Sequence, residues 1–373
     1  MANPITQVAL HERTLLVDWV DGRRSHYHYL WLRDNAPDAI DTHNGQRLIE
    51  SVAIPPAICP QTVTLHADGQ LEVVWAVNGS RSLFAPDWLR AHDYSQPETI
   101  STANQPLLWD ATLGAHLPSA DYPAVVDDRQ ILRDWLQAVH DYGFALLRQV
   151  PVASAALLKV VALFGYVRET NYGPYFDVKS VVSPNNLAYT GLGLSPHTDN
   201  PYRDPAPTLQ LLHCLQDAAA GGDSIVVDGF AVAARLRQQA PEHFALLTRT
   251  PVTFRFRDQT TDLMAVTPLI ALDSQGLIKA IRYNNRSLAP LALPPEQIEP
   301  FYAAYRALGE LIASAEFQVV FKLHPGDLFI VDNERVLHGR TAFSNTGNRH
   351  LQGCYADRDG LLSTLRVLGG CSD

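Results

Sequence analysis

His197-Thr198-Asp199 is the first place where residue type and spacing together suggest chemistry. In an extended segment, residues two apart project from the same face, so an imidazole and a carboxylate here can reach one metal ion. Downstream, the apolar run Leu328-Phe329-Ile330-Val331 leads to His338 in Val336-Leu337-His338-Gly339-Arg340, which offers a third ligand. Two histidines and one carboxylate bind non-haem Fe(II) and leave three coordination positions open. That suits O2 activation, with two positions for a chelating co-substrate and one for oxygen. Arg349 follows His338 by eleven residues. A guanidinium one strand beyond the last ligand can grip the distal carboxylate of 2-oxoglutarate bidentately. Ser224, in Gly221-Gly222-Asp223-Ser224, lies 27 residues after His197 and offers a hydroxyl to the same carboxylate. Each signal alone is weak: with 14 histidines in the chain, an isolated one is usually a core or surface residue.

The elements that must position these groups are mostly strands. Residues 1–95 read as a small β-rich module. Thr14–Trp19 and Ser25–Trp31 flank the turn signal Asp21-Gly22, and Val63–Leu65 and Leu71–Trp75 flank Asp68-Gly69. Residues 96–119 lose periodicity and are punctuated by prolines, which predicts a linker. Residues 120–373 form the larger part. Helical spacing predicts helices over Asp128–Tyr142, Ala153–Phe164 and Val232–Leu247. Strands are expected at Phe144–Leu147, Thr208–Cys214, Ser224–Val227, Val252–Arg257, Ile278–Tyr283, Phe317–Lys322 and Asp327–Val331. Many short strands with few helices predict a mainly β fold, an antiparallel sandwich or barrel decorated by helices. No period of 20 to 50 residues repeats.

Composition narrows the class. The 373 residues are 46% hydrophobic and 18% charged, an ordinary globular balance. A net charge of -10 argues against nucleic-acid or anionic-membrane partners. No apolar stretch is long enough to span a bilayer, and the N-terminus lacks a secretory pattern, so a cytoplasmic protein is expected. Cys59, Cys214, Cys354 and Cys371 are too scattered for a disulfide framework or a cysteine zinc site.

The order His197-Thr198-Asp199, Gly221-Gly222-Asp223-Ser224, Leu337-His338-Gly339-Arg340 and Arg349-His350-Leu351-Gln352-Gly353 resembles the taurine dioxygenase-like Fe(II)/2-oxoglutarate oxygenases. The resemblance covers most of residues 120–373. It implies a distorted double-stranded β-helix (jelly roll), Fe(II) on His197, Asp199 and His338, and 2-oxoglutarate held by Arg349 and Ser224. It also implies decarboxylation of the co-substrate to succinate, coupled to removal of a substrate hydrogen, with ascorbate a candidate stimulant. Related halogenases leave the carboxylate position vacant for halide; Asp199 fills it here, which favours hydroxylation.

Further segments resemble the γ-butyrobetaine hydroxylase-like branch through almost the whole chain. They are Trp31-Leu32-Arg33-Asp34-Asn35, Asn185-Asn186-Leu187-Ala188-Tyr189, Gln210-Leu211-Leu212-His213-Cys214 and Gly353-Cys354-Tyr355-Ala356-Asp357. The branch binds small trimethylammonium zwitterions and implies a homodimer. A quaternary ammonium donates no hydrogen bonds and is held by aromatic faces. By motif the cage is Tyr172, Phe176, Tyr189 and Tyr355, with Phe176 where vertebrate members carry Trp. The branch's N-terminal zinc cysteines are missing from residues 35–41. Asp38, Asp41 and His43 are possible ligands, but no structural zinc is expected.

At the anion end the candidates are Asn186, Asn200, Tyr202, Asn285 and Arg286. Arg286 stands where the butyrobetaine enzymes carry a small neutral residue. An added guanidinium suits an anion with three oxygens, and the pattern resembles the 2-(trimethylammonio)ethylphosphonate dioxygenases. The expected reaction is therefore hydroxylation of that phosphonate at the carbon α to phosphorus. The alternative is γ-butyrobetaine hydroxylation at C3, giving carnitine. Arg286 has a competing reading as a solvated surface charge. Two other classes compete: a jelly-roll metal hydrolase, which has no need of Arg349 at that offset, and a zwitterion-binding protein on a dead oxygenase scaffold, which has no need of an intact triad.

Overall fold

The computed structural model describes residues 4–95, 106–179, 192–217, 220–343 and 349–370. It divides into two compact units, Met1–Asn104 and Gln105–Asp373.

In the first unit one arrangement occurs twice. Strands Ile5–Leu10, Thr14–Trp19 and Arg24–His28 form an antiparallel sheet followed by helix Tyr29–Asp34. Strands Pro60–Leu65, Leu71–Trp75 and Arg81–Phe84 do the same before helix Pro86–Ala91. Trp31-Leu32-Arg33 in one helix corresponds to Trp88-Leu89-Arg90 in the other, 57 residues on, so the unit holds a repeat longer than 20 to 50 residues.

Each half also completes the other. The Trp19 indole N–H donates to Ser25 Oγ at 2.8 Å, and Ser25 donates to Asp93, which follows the second helix. Trp75 donates to Ser82 Oγ at 2.8 Å, and Ser82 donates to Asp38, after the first helix, at 2.6 Å. Asp38 Oδ2 also faces Arg33. Ser82 and Trp75 are fully buried. Ser82→Ala would leave an indole N–H without an acceptor and is expected to lower stability by about 1–3 kcal/mol, read as a lower urea midpoint at unchanged m. An unchanged midpoint would show that the relay contributes nothing.

The strand expected over Ser25–Trp31 ends earlier, at His28. The His28 Nδ1 caps the following helix by accepting from the Leu30 N–H at 3.1 Å.

The second unit is built on two sheets. One has strand order Leu194–His197, Val336–Arg340, Ser224–Asp228, Val319–Phe321. The other has order Ser119–Asp121, Phe144–Arg148, Leu328–Asp332, Leu209–Asp217, Arg349–Ala356, Phe176–Lys179, antiparallel except for the first pair. Phe144, Leu212, Cys214, Phe329 and Val331 from the six-stranded sheet pack with Val226, Val319 and Val336 from the four-stranded one. That shared core makes a β-sandwich with non-sequential strand neighbours, a jelly roll. On the outer face of the larger sheet, Leu211, Ile330 and Cys354 meet helices Arg129–Tyr142, Ala156–Val161 and Arg358–Gly369.

Several expectations are corrected here. Of the expected linker 96–119, residues 96–105 lie outside the described residues, and the rest is anchored by Trp109, which is buried and whose indole N–H donates to the Tyr142 carbonyl at 2.7 Å. The helix expected over Val232–Leu247 is two, Gly229–Gln239 and Pro241–Arg249. Pro241 has no N–H to continue the ladder and starts a new helix instead. The longest helix, Pro295–Ala313, was not foreseen because its Pro300 reads as a breaker. Among the described residues no helix is long and apolar enough to cross a membrane.

Candidate active site

His197 closes the Leu194–His197 strand, and the sheet register places it directly opposite His338 in Val336–Arg340. Two neighbouring strands thus set the imidazoles side by side, with ring centroids 4.5 Å apart. Asp199 follows on a loop that Asn333 pins down. Asn333 Oδ1 accepts from the Asp199 backbone N–H at 2.7 Å, and its Nδ2 donates to the Asp199 and Pro207 carbonyls. Asn333 itself sits in the turn between Leu328–Asp332 and Val336–Arg340. Arg358 ties that turn to the C-terminal helix through Asp332 and Glu334.

Ligand atoms of His197, Asp199 and His338 converge within 4.8 Å of one another. His197 Nδ1 lies 2.9 Å from the Ser195 carbonyl oxygen, which can only accept. That nitrogen therefore carries the proton and leaves the Nε2 lone pair facing Asp199, as a metal requires. Asp199 Oδ1 lies 3.3 Å from His197 Nε2 and 3.9 Å from His338 Nε2. Burial alone would raise the Asp199 carboxyl. The two imidazoles beside it and the Tyr355 hydroxyl, which donates to Oδ2, outweigh burial and hold the group well below the ordinary carboxylate range. Burial and the neighbouring His197 push His338 down to about 3, so it is neutral and free to coordinate. Donor types, protonation states and convergence all fit Fe(II).

A cavity of about 490 Å³ opens on this cluster. Arg349 and Ser224 both line it and both are buried. Gly222, with φ near +73°, makes room for the arginine: a Cβ there would sit 2.9 Å from its Nε. Arg349 donates to the Gly222 carbonyl at 3.2 Å, and both it and Arg340 lie over the Phe343 ring, 5.3 and 5.0 Å from its centroid. Arg340 also lines the cavity, and burial with its neighbours Arg349 and Arg286 lowers it to about 10.

The aromatic part of the wall is continuous. Phe176 has its ring centroid 5.9 Å from Tyr172 and 5.3 Å from Tyr355. Gly353 permits this, since a Cβ there would overlap the Phe176 ring at 2.5 Å. Tyr202, expected at the anion end, also joins this wall: its ring stacks on Phe256 at 5.2 Å and its hydroxyl lies 3.2 Å from that of Tyr172. Asn186 and Tyr189 lie outside the described residues.

Of the paired asparagines, Asn284 and not Asn285 lines the cavity. Asn284 turns inward to donate to the Thr198 carbonyl at 3.0 Å, and the next side chain points away, toward Tyr305. Arg286 lines the cavity, facing Asp199 and Tyr202, while more than a third of it remains open to solvent. Its guanidinium has no hydrogen-bond or ion-pair partner among the described residues. Asn200 is 3% exposed, and neither atom of its carboxamide has a hydrogen-bond partner among the described residues.

Four residues escaped the sequence reading: Gln210, whose Nε2 donates to Asp199 Oδ2 at 2.6 Å, and Asn333, Phe256 and Arg340. Gln210 had a signal, a lone amide in the apolar run Leu209–Cys214.

A jelly roll that carries two histidines and a carboxylate on its cavity wall defines an oxygenase-type metal centre, and the sequence comparisons agree. Residues 103–355 match the family "Taurine catabolism dioxygenase TauD, TfdA family", and residues 6–90 match "Gamma-butyrobetaine hydroxylase-like, N-terminal". Gamma-butyrobetaine dioxygenase of Pseudomonas sp. (strain AK-1) is 40% identical over 99% of this chain and 97% of its own. Mitochondrial trimethyllysine dioxygenase of Rattus norvegicus is 32% identical over 92% of this chain and 83% of its own. A taurine dioxygenase structure from Burkholderia xenovorans superposes with a TM-score of 0.47 at 19% identity, covering 67% of this chain and 89% of that one. The chain belongs to the TauD/TfdA family. It is an Fe(II)- and 2-oxoglutarate-dependent dioxygenase that uses O2 and a small-molecule substrate.

Proposed function

We propose that this dioxygenase hydroxylates a small zwitterion with a trimethylammonium head and an anionic tail, and that the tail is a phosphonate, as in 2-(trimethylammonio)ethylphosphonate. The observation that carries this reading is the pairing, in one cavity, of an aromatic wall with two polar groups that lack partners among the described residues, the Asn200 carboxamide and the Arg286 guanidinium. A buried amide without a partner costs about 1–3 kcal/mol unless a ligand satisfies it. An anion with three oxygens can accept from both groups at once. Tyr172, Phe176 and Tyr355 offer ring faces to a cation that makes no hydrogen bonds.

In this reading His197, Asp199 and His338 hold the iron. Arg349 grips the distal carboxylate of 2-oxoglutarate, with the Ser224 hydroxyl beside it. The bound metal and co-substrate supply the O2-derived oxidising power that removes one hydrogen from the substrate. The chain's own part is positioning: holding both ends of the zwitterion leaves one methylene facing the metal, which sets the carbon attacked. For the phosphonate that carbon is α to phosphorus.

A second reading, γ-butyrobetaine converted to carnitine, is favoured by the relative named for that substrate at 40% identity. Succinate release with each zwitterion at equal concentration separates the two. Faster, coupled turnover of the phosphonate is expected. Arg286→Ala should then cut its kcat/KM roughly tenfold to a hundredfold, the worth of a charge-assisted hydrogen bond, with little effect on γ-butyrobetaine. Preference for γ-butyrobetaine, unaffected by Arg286→Ala, would make this a carnitine-forming enzyme.

A further inference from the structure

Asp199 bridges the two sheets of the jelly roll. Its Oδ1 faces the imidazoles of the four-stranded sheet. Its Oδ2 is held by two donors from the six-stranded sheet, Gln210 Nε2 at 2.6 Å and the Tyr355 hydroxyl at 2.8 Å. Gln210 and Tyr355 are directly opposed in the register of Leu209–Asp217 against Arg349–Ala356, so the two donors form one cross-strand unit. Both are buried, Gln210 at 2% and Tyr355 at 4% exposure. With Oδ2 accepting from two donors, Oδ1 is the oxygen left to face a metal.

Tyr355 has a second role. The ring that carries this hydroxyl is also one wall of the aromatic group, against Phe176. A cation resting on that wall would therefore touch the ring of the same side chain whose hydroxyl holds Asp199. We propose that Tyr355 is a positioning residue that couples occupation of the aromatic wall by a quaternary ammonium to metal binding at Asp199, with Gln210 as the fixed half of the clamp. A cation that settles the ring also settles the hydroxyl on Oδ2. By linkage, a metal that draws in Oδ1 settles the ring for the cation. The coupling half rests on the reading of the wall as an ammonium site; the clamp half does not.

The test uses the metal-free full-length protein titrated with Co(II), read by its visible absorption, with and without tetramethylammonium. In the wild type the cation is expected to tighten Co(II) binding severalfold. Tyr355→Phe keeps the ring and loses the hydroxyl. It should weaken Co(II) about tenfold, in the range for removal of a partner of a metal ligand. It should leave tetramethylammonium affinity in the metal-free protein within about twofold and abolish the tightening. Gln210→Leu should also weaken Co(II) but preserve the tightening, and it keeps the clamp testable should the tyrosine variant fail to fold. Unchanged Co(II) affinity in both variants would overturn the clamp. The same tightening in Tyr355→Phe as in the wild type would overturn the coupling. A wild type that binds Co(II) but no tetramethylammonium would instead overturn the ammonium reading of the wall and the coupling with it, while the Co(II) comparison still decides the clamp.

Discussion

Asp199→Ala is expected to lower succinate formation about a thousandfold or more, equivalent to about 4 kcal/mol or more on the barrier. The substitution deletes the one carboxylate among the three converging ligands. It also leaves Gln210 and Tyr355 without the oxygen that both address. The loop should hold its place, because Asn333 grips the backbone of residue 199 and not its side chain. Circular dichroism and thermal midpoint near those of the wild type, with Co(II) affinity lost, would therefore locate the defect in coordination. Turnover within about tenfold of the wild type would mean that Asp199 is not a ligand.

Arg349→Ala is expected to raise the KM for 2-oxoglutarate roughly a hundredfold, since a bidentate pair with a carboxylate is worth about 3 kcal/mol. The side chain is 8% exposed on the cavity wall, oriented by the Gly222 carbonyl and the Phe343 ring. Arg349→Lys should recover only part of the loss, because an ammonium is a point charge without the planar fork. The KM for the zwitterion should move far less. Arg340 also lies over the Phe343 ring, 5.0 Å from its centroid. An unchanged KM in Arg349→Ala together with a raised one in Arg340→Ala would transfer the anchor to Arg340.

The metal cluster was legible because its signal is local. The two-residue spacing of His197 and Asp199 and the strand leading to His338 mean the same thing in sequence and in space. Arg349 and Ser224 were legible by their offsets. The Asp199 clamp was not, because Gln210 and Tyr355 meet only through strand register, which no periodicity encodes. The place of Tyr202 in the aromatic wall was not legible for a related reason. Its motif neighbours are polar, but stacking on Phe256 of a separate hairpin decides where its ring lies. In the paired asparagines, alternation sends one side chain inward and the next outward, and the choice of Asn284 is made by a carbonyl at Thr198 far away in sequence. Five strands of the two sheets, near Phe144, Leu209, Ser224, Val319 and Leu328, were readable from apolar runs; Ser119–Asp121, Phe176–Lys179, Leu194–His197, Val336–Arg340 and Arg349–Ala356 were not among the expected strands. Pro295–Ala313 was hidden because Pro300 reads as a break in an isolated segment, although Phe301, Ala304, Leu308 and Ile312 bury a helical face against the core.

The most direct test of the account is the product of turnover under isotopically labelled O2, with Fe(II), 2-oxoglutarate and 2-(trimethylammonio)ethylphosphonate or γ-butyrobetaine, followed by mass spectrometry. The account predicts one labelled oxygen atom in the zwitterion, on a methylene between its two charged ends, with one succinate formed for each hydroxylated molecule. Succinate formed at the same rate whether or not a zwitterion is present, with both zwitterions recovered unchanged, would contradict it.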